Sequence, residues 1–176
     1  MANLLDALLV LVLALNLFAL GTSRLVAVIR TVAVQGALLG AIPLLAHGHL
    51  TTAALMAAVA AIGLKGIAIP AIMMRALRDA HIKREVEPLV GLLPSIILGA
   101  LATAFALLFA GQLPLADHHT GALLVPTSIA TVLVGFILLT TRFKALSQVV
   151  GYLVLENGIF IFGMLLVEAM PMLVEL

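Results

Sequence analysis

Three strongly polar side chains, Gln35, Lys65 and Glu156, stand inside long apolar stretches of this sequence. The segment "VVGYLVLENGIFIFGMLLV", residues 149–167, sets Glu156 beside Asn157 among apolar neighbours, and "GLKGIAIP", residues 63–70, does the same for Lys65. On insertion scales a charge at the centre of a membrane helix costs about 2.5–3.5 kcal/mol, so each such group must face protein or water and find a partner. An amine and a carboxylate placed together have two uses: a static ion pair that joins helices, or a titrating pair that relays charge. Pro70 supports the second use. It has no amide hydrogen for the Gly66 carbonyl, so a loosened, hydratable turn is expected directly after Lys65. Gln35 and Asn157 carry amides that bond well across helices. Arg30 is only six residues from Arg24, so its side chain is expected to snorkel to the nearby interface.

These groups require a frame that sits in lipid. The 176-residue chain is 64% hydrophobic and 10% charged, with a mean hydropathy of +1.31, which marks an integral membrane protein. Six apolar runs, at about 3–20, 25–46, 51–76, 88–110, 122–141 and 144–167, are each long enough to cross a core of about 30 Å. The expected fold is therefore all-α, a polytopic transmembrane helix bundle forming one domain over residues 1–176. The first twenty residues lack a basic leader and a cleavage site, so they are expected to remain as a helix. Seven of the nine Lys and Arg residues fall in the first, third and fifth connections, which puts those loops in the cytoplasm and the N-terminus outside. Counted from that side, Gln35, Lys65 and Glu156 lie roughly 15–21 Å deep, at one level. The tail "EAMPMLVEL" is expected either at the outer interface or as the start of a further helix.

Composition also excludes functions. A net charge of +1 offers no surface for nucleic acid. Without cysteine there is no disulfide, thiolate metal site or iron–sulfur ligation, so a redox centre would belong to another subunit. The "HGH" (His47, His49) and "DHH" (His118, His119) loops are expected to be ordinary interfacial loops, with no metal and no cofactor in this chain. His81 lies in the basic loop. Phosphate-loop, dinucleotide, zinc-protease and nucleophile-elbow motifs are absent, so the chain is not expected to be an enzyme by itself.

The segment "QVVGYLVLENGIFI" resembles the Q-x-x-G-Y-x-x-x-E-N-G stretch of hydrogenase-4 component E, a membrane subunit of group 4 NiFe hydrogenase and formate hydrogenlyase complexes. "SRLVAVIRTVAVQGALL" is similar to that family's Arg-led second helix with an internal Gln, and "LKGIAIPAIMMRALRD" to its third helix, with Pro five positions after Lys. The family's seventh, C-terminal span has no counterpart in this sequence. A wider resemblance is to NuoK of complex I and its counterpart in Mrp-type antiporters, where a G-x-E-x-x-x-N pattern carries a proton-pathway Glu. Gly151 and Asn157 keep that spacing, but Glu156 stands one turn beyond the usual carboxylate position, which Leu153 occupies. A slide of 118 residues pairs Thr22 with Thr140, Arg24 with Arg142, Ala27 with Ala145, Val32 with Val150 and Gly40 with Gly158, suggesting two NuoK-like units, 1–80 and 115–176.

The resemblance implies a non-catalytic subunit of an energy-converting, complex I-like hydrogenase complex in a prokaryotic inner membrane. Its implied partners are lipid, antiporter-like and other membrane subunits and, indirectly, peripheral NiFe hydrogenase-like subunits. Glu156, Lys65 and Gln35 would form a proton or charge relay supported by Asn157, Pro70 and Arg30. The competing readings are a static scaffold, a subunit of an Mrp-type cation/proton antiporter, and a stand-alone secondary transporter.

Overall fold

A computed structural model describes residues 2–46, 52–80, 89–113 and 123–174, and the described part is almost entirely helical, without a β-strand. The helices are α1 (Ala2–Gly21), α2 (Leu25–Ala46), α3 (Thr52–Ala61), α4 (Ile69–Asp79), α5 (Leu92–Ala110), α6 (Leu124–Thr141) and α7 (Ala145–Val174). Between α3 and α4 the same rod continues as a π-helical segment, Ile62–Ala68. Counting α3, this segment and α4 as one span, six helices are long and apolar enough to cross a membrane, which is compatible with a multi-pass membrane protein. The six runs expected from sequence are therefore present. The last is longer than expected: α7 passes through the "EAMPMLV" stretch to Val174 as one helix, with neither a break nor a separate element. Pro171 lies inside this stretch and cannot donate to the ladder, yet the helix continues past it to Val174. The histidines of the outer loops, and His81, lie outside the described residues.

Helices α6 and α7 form the tightest pair. A Cβ at Gly158 would stand 2.6 Å from the Val132 backbone nitrogen, and one at Gly135 would strike the Leu155 backbone. Bare glycine surfaces let the two backbones touch, the usual device where lipid tails are as apolar as the helix surface. Helices α1 and α2 close the other side of the bundle, and α5 lies against α1 and α6. The third span packs chiefly on α2, leaving Met56, Val59, Leu64, Ile67 and Ile72 exposed.

Two apolar clusters fill the interior. One, at the end bearing Arg24, Arg75, Arg78 and Arg142, gathers Ala19, Val28, Val32, Met73, Val134, Leu138 and Val154; the other, at the opposite end, gathers Leu9, Val12, Leu39, Ile42, Leu124 and Ile161. Along α1, α2 and α7 the break between clusters falls at one residue each: Asn16, Gln35 and Asn157. On α6 it falls at Thr127 and Thr131. The bundle is thus two apolar blocks separated by one polar layer.

Candidate functional site: a polar layer ending in an ion pair

Lys65 is carried by the π-helical segment. Its bonding is shifted by one residue, so the Ile69 amide donates to the Leu64 carbonyl, five residues back. Pro70, one residue on, donates nothing, and the α-helical ladder resumes beyond it. The loosened stretch therefore contains Lys65 rather than following it, a correction to the expected position. Gly36 on α2 sets the approach: a Cβ there would lie 2.8 Å from the Lys65 Cβ and 3.2 Å from its carbonyl oxygen. Backbone contact with α2 directs the lysine toward α7.

There Lys65 Nζ lies 3.0 Å from Glu156 Oε1, donates to Asn157 Oδ1 at 3.3 Å, and stands 4.8 Å from the centre of the Phe160 ring. Glu156, Asn157 and Phe160 belong to one turn of α7, so one helical face offers the ammonium a carboxylate, an amide oxygen and a π-cloud. The two partners differ in setting. The Lys65 side chain is 12% exposed, whereas that of Glu156 is 40% exposed. Ile29, Val32, Ile69, Pro70, Met73 and Leu153 join the pair in lining a groove whose free volume, about 10 Å³, is that of one water-sized guest.

From Asn157 the hydrogen bonds continue inward. Asn157 Nδ2 donates to Gln35 Oε1 at 3.3 Å, Gln35 Nε2 to Asn16 Oδ1 at 2.8 Å, and Asn16 Nδ2 to Thr131 Oγ1 at 2.9 Å. The Thr131 hydroxyl then donates to the Thr127 carbonyl at 2.7 Å. Gln35, Asn16, Thr131 and Asn157 are each at most 2% exposed. Four bonds thus link the third span, α7, α2, α1 and α6, a fifth ends the chain within α6, and in every one the donor is on the Lys65 side. The amide oxygens all face back toward the ammonium, so their dipoles add at the cation.

The structure therefore brings together Glu156, Lys65, Gln35 and Asn157, with Pro70 in the groove wall. It does not bring Arg30 to them: Arg30 is exposed on α2, outside the chain of bonds. Two members were missed in the sequence, Asn16 and Thr131. Asn16, within "LALNLFAL", is the one amide in the interior of its span, Asn3 standing at its start, and is the visible signal; a threonine inside a helix gives none, because its hydroxyl usually serves its own backbone. Among the described residues no group of three or more His, Asp or Glu is placed to hold a metal.

The sequence is 37% identical over 156 residues to the uncharacterized protein Rv0085 of Mycobacterium tuberculosis, covering 85% of this chain and 69% of the mycobacterial one. This chain belongs to the family of that protein. No family model and no solved structure matches the chain, so the resemblance to hydrogenase-4 component E rests on the motifs quoted above. The mycobacterial relative's name carries no activity, and family membership leaves function to be argued from the polar layer.

Proposed function

We propose that this chain is a non-catalytic membrane subunit of an energy-converting, complex I-like hydrogenase complex, in which the Glu156–Lys65 pair passes charge shifts between neighbouring subunits. The observation that carries this reading is the pair itself: a 3.0 Å contact at the level of the polar layer, with one partner inside the bundle and the other on its flank. A carboxylate 40% exposed at that depth is costly against lipid alone, and a neighbouring membrane subunit would relieve the cost. Protonating Glu156 removes the countercharge of Lys65 and raises the free energy of the cation, the linkage a relay needs. The amides are not the proton path in this reading; they hold the cation, and Glu156 with water in the groove supplies the exchange. The same one-way order of donors favours one second reading, a static scaffold in which the charge never moves.

Affinity purification of the tagged full-length chain from native membranes in mild detergent tests the complex. Recovery of antiporter-like and NiFe-type subunits in fixed ratio is expected. A homo-oligomer with no such partners would overturn the reading and favour a stand-alone transporter.

A further inference from the structure

The face of α7 that looks out of the bundle is not the plain apolar surface that suits lipid. Val149, Tyr152 and Ile159 are 44%, 57% and 54% exposed, and the Glu156 side chain stands among them. With Gly163 these residues recur at intervals of three, four, three and four, the spacing that keeps one stripe of a helix against a partner helix along its length. At about 1.5 Å per residue, Tyr152 and Glu156 lie roughly 15 and 21 Å along the helix from Arg142, well inside a core of about 30 Å.

Two polar groups on this stripe are incomplete. Lys65 meets only Oε1 of Glu156, and among the described residues nothing bonds the second carboxylate oxygen or the Tyr152 hydroxyl. A carboxylate has room for several donors, and lipid tails offer none. A second copy of the chain is a poor occupant: a two-fold pair through this stripe would set Glu156 against Glu156 at one depth, like charge to like charge. A cationic side chain fits poorly too, because Lys65 already neutralises Glu156 and another buried positive charge would be left uncompensated. A neutral donor, an amide or a hydroxyl, completes the site without adding charge. Gly163 provides the room. A Cβ there would meet nothing within 4 Å among the described residues, whereas at Gly135, Gly151 and Gly158 it would strike the backbone of the facing helix, so the bare surface at Gly163 serves no contact within this bundle.

We propose that the stripe of Val149, Tyr152, Glu156, Ile159 and Gly163 docks one transmembrane helix of a neighbouring membrane subunit, whose amide or hydroxyl side chain donates to the free oxygen of Glu156. The inference rests on the proposed function only in taking this chain to be one subunit of a larger assembly; it does not require that Glu156 titrate.

The test is photo-cross-linking of the full-length chain in native membranes, with benzoylphenylalanine in place of Tyr152, and in place of Leu101 on α5, 62% exposed, as the lipid-facing reference. The cross-linked peptide is then mapped by mass spectrometry. Position 152 is expected to capture one membrane-spanning peptide of a different subunit carrying Asn, Gln, Ser or Thr, which position 101 does not capture. Gly163→Leu should lower co-purification of that subunit about tenfold, because the added side chain fills the docking space, while the melting temperature of the isolated chain in detergent stays unchanged. Capture of lipid alone, of a second copy of the chain or of a peptide with no neutral donor would each overturn the proposal. So would undiminished recovery with Gly163→Leu, or a fall in the isolated chain's own melting temperature, which would show Gly163 serving its own bundle. Capture of lipid alone, with antiporter-like and NiFe-type subunits still recovered, would leave the proposed function standing; a subunit of another kind on the stripe would uphold the docking and refute that function.

Discussion

The α6–α7 pair and the third span are two ways of placing a helix in the same bundle. Helices α6 and α7 meet backbone to backbone through Gly135 and Gly158, bury Val134, Leu138, Val150 and Val154 between them and their neighbours, and follow an ordinary helical ladder. The third span touches chiefly α2, exposes most of its apolar surface, and breaks its ladder into a π-helical segment where Lys65 sits. The charged pair joins them, one partner on each. The difference teaches where movement is affordable. The tightly packed pair holds Glu156 and Asn157, while the third span, anchored in the core by Met73 and Leu77, is looser around Lys65, where a π segment and a proline interrupt its ladder.

The comparison predicts unequal responses to equal insults. Gly158→Leu should be the most damaging change, because even the first added carbon meets backbone at 2.6 Å and backbone cannot rotate away. Overpacking of this kind costs about 1–3 kcal/mol or more, and should appear as loss of folded yield and a fall in detergent melting temperature. Asn16→Leu comes next. It strips the acceptor from Gln35 Nε2, and a buried amide left unsatisfied costs about 1–3 kcal/mol; Asn16→Gln should recover only part, since the longer side chain misplaces the amide. A double-mutant cycle on Lys65→Met and Glu156→Leu follows. Removing Glu156 alone leaves a buried ammonium, so the double variant should be more stable than that single one, as read from denaturation midpoints. Gly36→Ala should have the smallest effect on melting temperature, because the third span can retreat from α2; its signature would instead be a longer Lys65–Glu156 distance. If Gly36→Ala destabilised as much as Gly158→Leu, the two regions would not differ as described.

Much of this architecture was legible in the sequence, for plain reasons. Apolar runs of membrane length are hard to mistake, and a Lys, a Gln and a Glu inside them announce a polar layer, as do their matching distances from the basic loops. The pairing of Lys65 with Glu156 was one of two expected uses of those groups, and the geometry supplies the contact itself. Other features needed coordinates. Arg142 reads as a loop charge beside Lys144, yet it folds inward to cap α1, which no local pattern declares. Thr131 looks like a helix-satisfied hydroxyl until Asn16 arrives from a helix 115 residues away. The site of the π segment was half visible: Pro70 marked a weak turn after Lys65, but that the loosening starts at Ile62, ahead of the lysine, needed the coordinates.

The proposed role turns on whether the carboxyl of Glu156 must ionise. The most direct measurement is proton translocation by inverted membrane vesicles carrying Glu156→Gln, which keeps the size and hydrogen-bonding of the side chain but removes its charge, with subunit content checked in the same membranes. The relay predicts an intact complex whose electron transfer no longer moves protons, and restored pumping in Glu156→Asp. Full pumping by an assembled Glu156→Gln complex would contradict it and leave the ion pair as a scaffold.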